Sequence, residues 1–101
     1  MSAKLVVLYA RPDDPESFDK HYRDVHVPLV EKIPGLDKFE WATFAAAADG
    51  GELSYHVIAE LHFADPDALQ KALGTDESKA TAADFAQIAP SGSRMFVAVT
   101  G

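Results

Sequence analysis

The sequence has 101 residues, no cysteine and a formal net charge of −7. That length suits one domain with one core, and the missing thiols exclude disulfides, thiolate nucleophiles and cysteine-ligated metals, as fits a reducing cytoplasm. The nine basic residues are scattered without a patch, which argues against nucleic-acid binding, and the run Leu5-Val6-Val7-Leu8 is too short for a signal core or a membrane span.

Residues 4 to 10 form a nearly unbroken apolar run rich in β-formers, which predicts a strand buried on both faces. Arg11 to Pro15 is a turn, with Asp14 as N-cap and Pro15 at the first helical position. Phe18, Tyr22, Val25, Leu29 and Ile33 then recur at three- and four-residue spacing, the stripe of a core-facing helix that Pro34-Gly35 ends. Residues 37 to 46 read as a second strand with Phe39, Trp41 and Thr43 on one face. Residues 47 to 51 make a small Gly-Gly turn. Tyr55 to Phe63 is the clearest strand: Tyr55, Val57, Ala59, Leu61 and Phe63 point one way, and His56, Ile58, Glu60 and His62 the other. Asp65-Pro66 starts a helix that runs through Leu69, Ala72 and Leu73 to Gly74. A further helical stretch runs from Asp76 to about Ala89, with Ala80, Ala83, Phe85, Ala86 and Ile88 on its buried side. After Pro90-Ser91-Gly92, Met95 to Val99 is a last strand, apolar on both faces.

The order β-α-β-β-α-β predicts an α+β, ferredoxin-like fold: a four-stranded antiparallel sheet with its helices on one face. The other face would expose a large apolar patch, which packing sheet against sheet in a symmetric homodimer would cover.

The segment Phe18-Asp19-Lys20-His21-Tyr22-Arg23-Asp24-Val25-His26-Val27-Pro28-Leu29, followed by Ile33-Pro34-Gly35-Leu36, resembles the EthD family of the dimeric α+β barrel superfamily. Tyr9-Ala10-Arg11-Pro12 with Asp14-Pro15, and Phe63 with Asp65, add to the resemblance, which spans nearly the whole chain as a single domain, residues 1–101. It implies a homodimer whose two sheets close into a barrel, with a pocket between each sheet and its own helices. Bacterial EthD proteins take their name from an ether-degradation gene cluster. The superfamily includes cofactor-free monooxygenases, polyketide cyclases, EthD-type dehydratases, muconolactone isomerases and haem-binding members. The resemblance therefore implies a role in ether or aromatic-compound degradation while leaving the reaction open.

Within that segment, Pro28 falls at an interior helical position, where proline removes a backbone hydrogen bond and costs roughly 3 kcal/mol. The break leaves the carbonyl of Asp24 without its helical donor and stands beside two histidines, the side chains best suited to move protons near neutral pH. His21 and His26 are the candidate catalytic groups, with Tyr22 orienting a substrate or donating a hydrogen bond. At about 100° per residue the two histidines fall on opposite flanks of the apolar stripe. Tyr9, Trp41 and Phe96 are aromatic groups on strands that would line a pocket for a flat or aromatic ligand. His56, Glu60 and His62 share residue types with a metal site. His56 and His62 are roughly 20 Å apart along an extended strand, so no metal is expected there. No cofactor-binding or nucleophile motif is present. Two functions fit: a cofactor-independent proton-transfer enzyme (dehydratase, cyclase, isomerase or oxygenase type) acting on a small hydrophobic metabolite, or a non-catalytic ligand-binding dimer assisting an oxygenase.

Overall fold

A computed structural model describes residues 1–101. The chain runs through β1 (Ala3–Ala10), α1 (Pro15–His21), a π-helical turn (Tyr22–His26), α2 (Val27–Glu31), β2 (Lys38–Thr43), β3 (Tyr55–Phe63), α3 (Pro66–Leu73), α4 (Asp76–Ile88) and β4 (Arg94–Val99). The strands form one antiparallel sheet in the order β2-β3-β1-β4, with the helices packed on one face, the predicted ferredoxin-like arrangement. Local chemistry starts the helices where the sequence indicates. The Asp14 carboxylate accepts from the Ser17 N–H at 3.2 Å, and the Asp65 carboxylate from the Ala68 N–H at 2.7 Å. Each cap is worth about 1 kcal/mol. No helix is long and apolar enough to cross a membrane.

Alternation along the central strands turns Ala3, Leu5, Val7 and Tyr9 of β1 toward the helices, directly opposite Phe63, Leu61, Ala59 and Val57 of β3. Two core clusters form on this face. One joins Ala3, Leu61 and Phe63 to Val30, Ile33, Leu69 and Ala72. The other joins Val7, Tyr9, Val57 and Ala59 to Phe18 and Tyr22. Fully burying a side chain such as Leu69 contributes about 1.5–3 kcal/mol.

The structure departs from the sequence reading in four places. β1 is covered on one face only, with Val6 and Leu8 half-buried on the other, while the edge strand β4 is open on both faces: Met95, Val97 and Val99 on the helix side and Phe96 on the other are exposed, with the Arg94 guanidinium 4.9 Å over the Phe96 ring. The buried stripe of the first helical unit is Phe18, Tyr22, His26, Val30 and Ile33, while Val25 is exposed and Leu29 only half-buried. The buried side of α4 carries Ser78, Thr81 and Asp84, while Ala80, Ala83 and Ala86 face solvent. Alanine is a strong helix former on either face, so its positions do not mark the core. Finally, the pairing slips between Tyr9 and Ala10, so Val57 and Tyr55 oppose neighbouring residues and His56 is the extra one. This bulge releases His56 from the Ile58, Glu60, His62 row, and its Nε2 lies 2.7 Å from the Asp19 carboxylate of α1.

Candidate functional site

Pro28 has no N–H to give, and its ring would clash with the carbonyl one helical turn back. The helix absorbs this by widening rather than by breaking. The Val27 N–H reaches back five residues to the Tyr22 carbonyl, and Pro28 then stands in the first turn of α2, where an N–H is not required. One extra residue enters the turn, so every side chain after it is rotated relative to a regular α-helix. Positions five apart, about 140° apart around a regular helix, now lean the same way. His21 and His26 both reach one carboxylate, Asp84 of α4: His21 Nε2 lies 2.8 Å from Oδ1 and His26 Nδ1 2.8 Å from Oδ2.

On its far side, His26 Nε2 is 3.1 Å from the Tyr9 hydroxyl. Asp84, His26 and Tyr9 thus form a continuous buried chain, 9 %, 4 % and 1 % exposed. Burial by itself would raise the pKa of Asp84, but the hydrogen bonds and charges of His21 and His26 hold it below the ordinary carboxylate value. Burial lowers the pKa of His26, and the Asp84 hydrogen bond only partly opposes this, so the ring is neutral near pH 7. An ionised Asp84 accepts only, which assigns the His26 proton to Nδ1 and leaves the Nε2 lone pair to accept from the Tyr9 hydroxyl. Burial, and after it the neighbouring Tyr22 and Asp84, raises the pKa of Tyr9, which holds its proton firmly.

The chain ends at a cavity of about 100 Å³ between the two core clusters. Tyr9, Tyr22 and His26 form one polar side and Val7, Ala59 and Leu61 its sheet side; α4 supplies Phe85 with Ser78 and Thr81, whose hydroxyl donates to the Glu77 carbonyl, and β4 supplies Met95. Its mouth lies where the exposed Ala82 and Met95 border it. Packed aromatic rings fix the polar side. Tyr22 stacks on His26 at 5.3 Å and meets Tyr9 edge-on at 5.4 Å, while Phe85 lies 5.4 Å from Tyr9. The Tyr22 hydroxyl is the one buried side-chain polar atom without a hydrogen-bond partner. Such a group ordinarily costs about 1–3 kcal/mol, and burial raises its pKa so that it too stays protonated.

Of the six candidate residues, the structure brings His26, Tyr22 and Tyr9 to the cavity wall. His21 stands behind Asp84, partly exposed, and does not line the cavity. Trp41 packs edge-on against Tyr22 at 4.9 Å without lining it. Phe96 is on the wrong face of the sheet for a pocket wall; strand alternation gives that place to its neighbour Met95. His62 pairs with Glu40 at 3.0 Å and Glu60 with Lys4 at 2.6 Å on the helix-free face, far from the cavity. Asp84 is not among the residues that the sequence marks. Its signal in the sequence is Ser78, Thr81 and Asp84 recurring every three residues along α4.

An EthD domain family model matches residues 11–90. An uncharacterised 11.0 kDa protein of Rhodococcus erythropolis, encoded in the thcB-thcC intergenic region, is 35 % identical over 92 residues, which is 91 % of this chain and 88 % of that protein. The crystal structure of an ethyl tert-butyl ether degradation (EthD) family protein from Bacillus halodurans superposes over all of both chains with a TM-score of 0.93 and 33 % identity. Two more distant structures share the fold alone. SnoaB of Streptomyces nogalater, a cofactor-independent oxygenase, has a TM-score of 0.70 and 14 % identity, covering 98 % of this chain and 92 % of that one. The hydroxynitrile lyase of Passiflora edulis has a TM-score of 0.79 and 10 % identity, covering 99 % and 94 %.

Proposed function

This chain belongs to the EthD family, and from that premise we propose that it is a cofactor-independent enzyme moving a proton on a small hydrophobic metabolite. The observation that carries the proposal is the Asp84–His26–Tyr9 chain ending at a mostly apolar cavity. A substrate C–H beside a carbonyl would lie against the Tyr9 oxygen. As that C–H bond breaks, its electron pair moves into the carbonyl to give an enolate. The Tyr9 oxygen takes the proton while its own passes to His26 Nε2, so no free phenolate forms. The imidazolium so created is stabilised by Asp84. Returning the proton to a different atom completes an isomerisation, cyclisation or elimination. The cofactor-independent oxygenase and the lyase of the same fold support the view that this scaffold admits such chemistry.

The helix-free face, where Val6, Ile58 and Phe96 lie among ion-paired Lys4, Glu60, Glu40 and His62, would pack against a second copy to form a homodimer. The family's namesake makes products of ether and aromatic breakdown the first compounds to assay. Incubating such carbonyl compounds in deuterated water and following C–H exchange by NMR tests the proposal. Catalysed exchange that falls about 10²–10⁴-fold in His26→Gln is the expected result. Binding without exchange in any compound would favour the ligand-binding reading instead.

A further inference from the structure

We propose that Tyr22 is the polar anchor of the cavity, its hydroxyl donating to the oxygen of a small neutral carbonyl compound or enol. Tyr22 lines the cavity, and its buried hydroxyl has no partner in the protein, while the other fully buried side-chain polar atoms are satisfied. Buried hydroxyls are ordinarily paired, so a donor left free on the wall of an apolar cavity fits a ligand acceptor.

Three observations narrow the ligand. The carboxylate of the site, Asp84, lies behind His26 and is occupied by both histidines, so no charge faces the cavity to pair with an ionic ligand. Apart from the hydroxyls of Ser78 and Thr81, the latter bonded to the Glu77 carbonyl, the remaining lining is apolar, which disfavours polyols and other ligands with many polar groups. The volume of about 100 Å³ is below that of a cavity of about 150 Å³ that takes benzene. The enclosed part of the ligand is then a short acyl group or one edge of a ring, and the rest of a ring or chain extends toward the mouth bordered by α4 and β4. Tyr22 also stacks on His26 and contacts the Tyr9 ring, so an oxygen held by Tyr22 sits beside the proton-moving pair. A hydrogen bond to that oxygen would strengthen as it gains negative charge. This last role rests on the proton-transfer reading above; the anchoring role does not.

The probes are 4-fluorophenol, a stable enol mimic, and 4-fluorotoluene, which replaces the hydroxyl with a methyl of similar size. Their binding to the full chain is followed by fluorine NMR. The anchor predicts that the phenol binds about tenfold more tightly than the toluene. Tyr22→Phe should reduce that ratio to near one while leaving toluene affinity and the melting temperature unchanged or higher, since it removes an unpaired hydroxyl. Equal affinity of the two probes for the natural protein, or a phenol preference that survives Tyr22→Phe, overturns the anchor. His26→Gln separates the two readings: a phenol preference that persists in it, with no exchange by the natural protein, keeps the anchor and ends the proton-transfer proposal.

Discussion

The Asp84 carboxylate lies 2.8 Å from Nδ1 of His26, a residue 58 positions earlier in the chain. That single contact orients the imidazole, assigns its proton and joins α4 to the π turn. Because Asp84 also takes His21, one carboxylate organises both histidines.

Asp84→Asn is expected to retain the fold and to make His26 less basic, because it removes the charge that partly offsets burial. A proton NMR titration of His26 should show its pKa falling below that of the natural protein. Asp84→Ala leaves two rings without their acceptor and is expected to lower stability by about 1.5–3 kcal/mol, read from urea unfolding. A stability unchanged in Asp84→Ala would mean that the contact is not formed in solution.

Acid should destabilise the protein in two stages. The folded pKa of His26 is lowered from 6.5 and that of Asp84 from 3.8. In each window the unfolded chain binds a proton that the folded chain refuses, so stability falls as pH falls. The His26 contribution is fully present above about pH 6.5 and declines below it; that of Asp84 is lost only below about 3.8. Urea midpoints measured from pH 7.5 to 4.5 should show a smaller decline in His26→Gln than in the natural protein. If the two decline equally, His26 is not the group responsible.

Pro28→Ala tests the π turn. A proline strained inside a regular helix would cost roughly 3 kcal/mol, and its removal would return much of that. Here the turn has already moved Pro28 to a tolerated place, so the change in stability should stay within about 1 kcal/mol. The variant is free to return to an α-helical register, and a changed His26 chemical shift with slower exchange would report the loss of alignment.

Phe96→Asp probes the helix-free face. Phe96 is 42 % exposed in a single copy and faces away from the cavity. Sedimentation should give a dimer for the natural chain and a monomer of unchanged circular dichroism for the variant. A natural chain that sediments as a monomer at tens of micromolar removes the dimer from the proposal.

Much of the fold was legible because its signals are local. Asp14-Pro15 and Asp65-Pro66 cap helices through side chains three residues from their targets. The alternation of Val57, Ala59, Leu61 and Phe63 is a property of any extended strand with one wet face. The histidine segment was legible as a departure from a plain helix, since an interior proline conflicts with one. Its geometry was not. One extra residue in the π turn replaces Val25 by His26 in the buried stripe, and one extra residue in the β3 bulge carries His56 to Asp19.

The sequence by itself determined the order of the elements, where the helices begin, and that two histidines and a tyrosine gather around Pro28, because caps, periodicity and proline sterics act over a few residues. Only the tertiary structure decided that His26 rather than His21 meets the cavity, that Asp84 holds both, and that Tyr22 keeps a free hydroxyl. Those outcomes depend on insertions that rotate all later side chains and on a partner helix 58 residues away, where desolvation makes an unpaired group costly and selects the pairing.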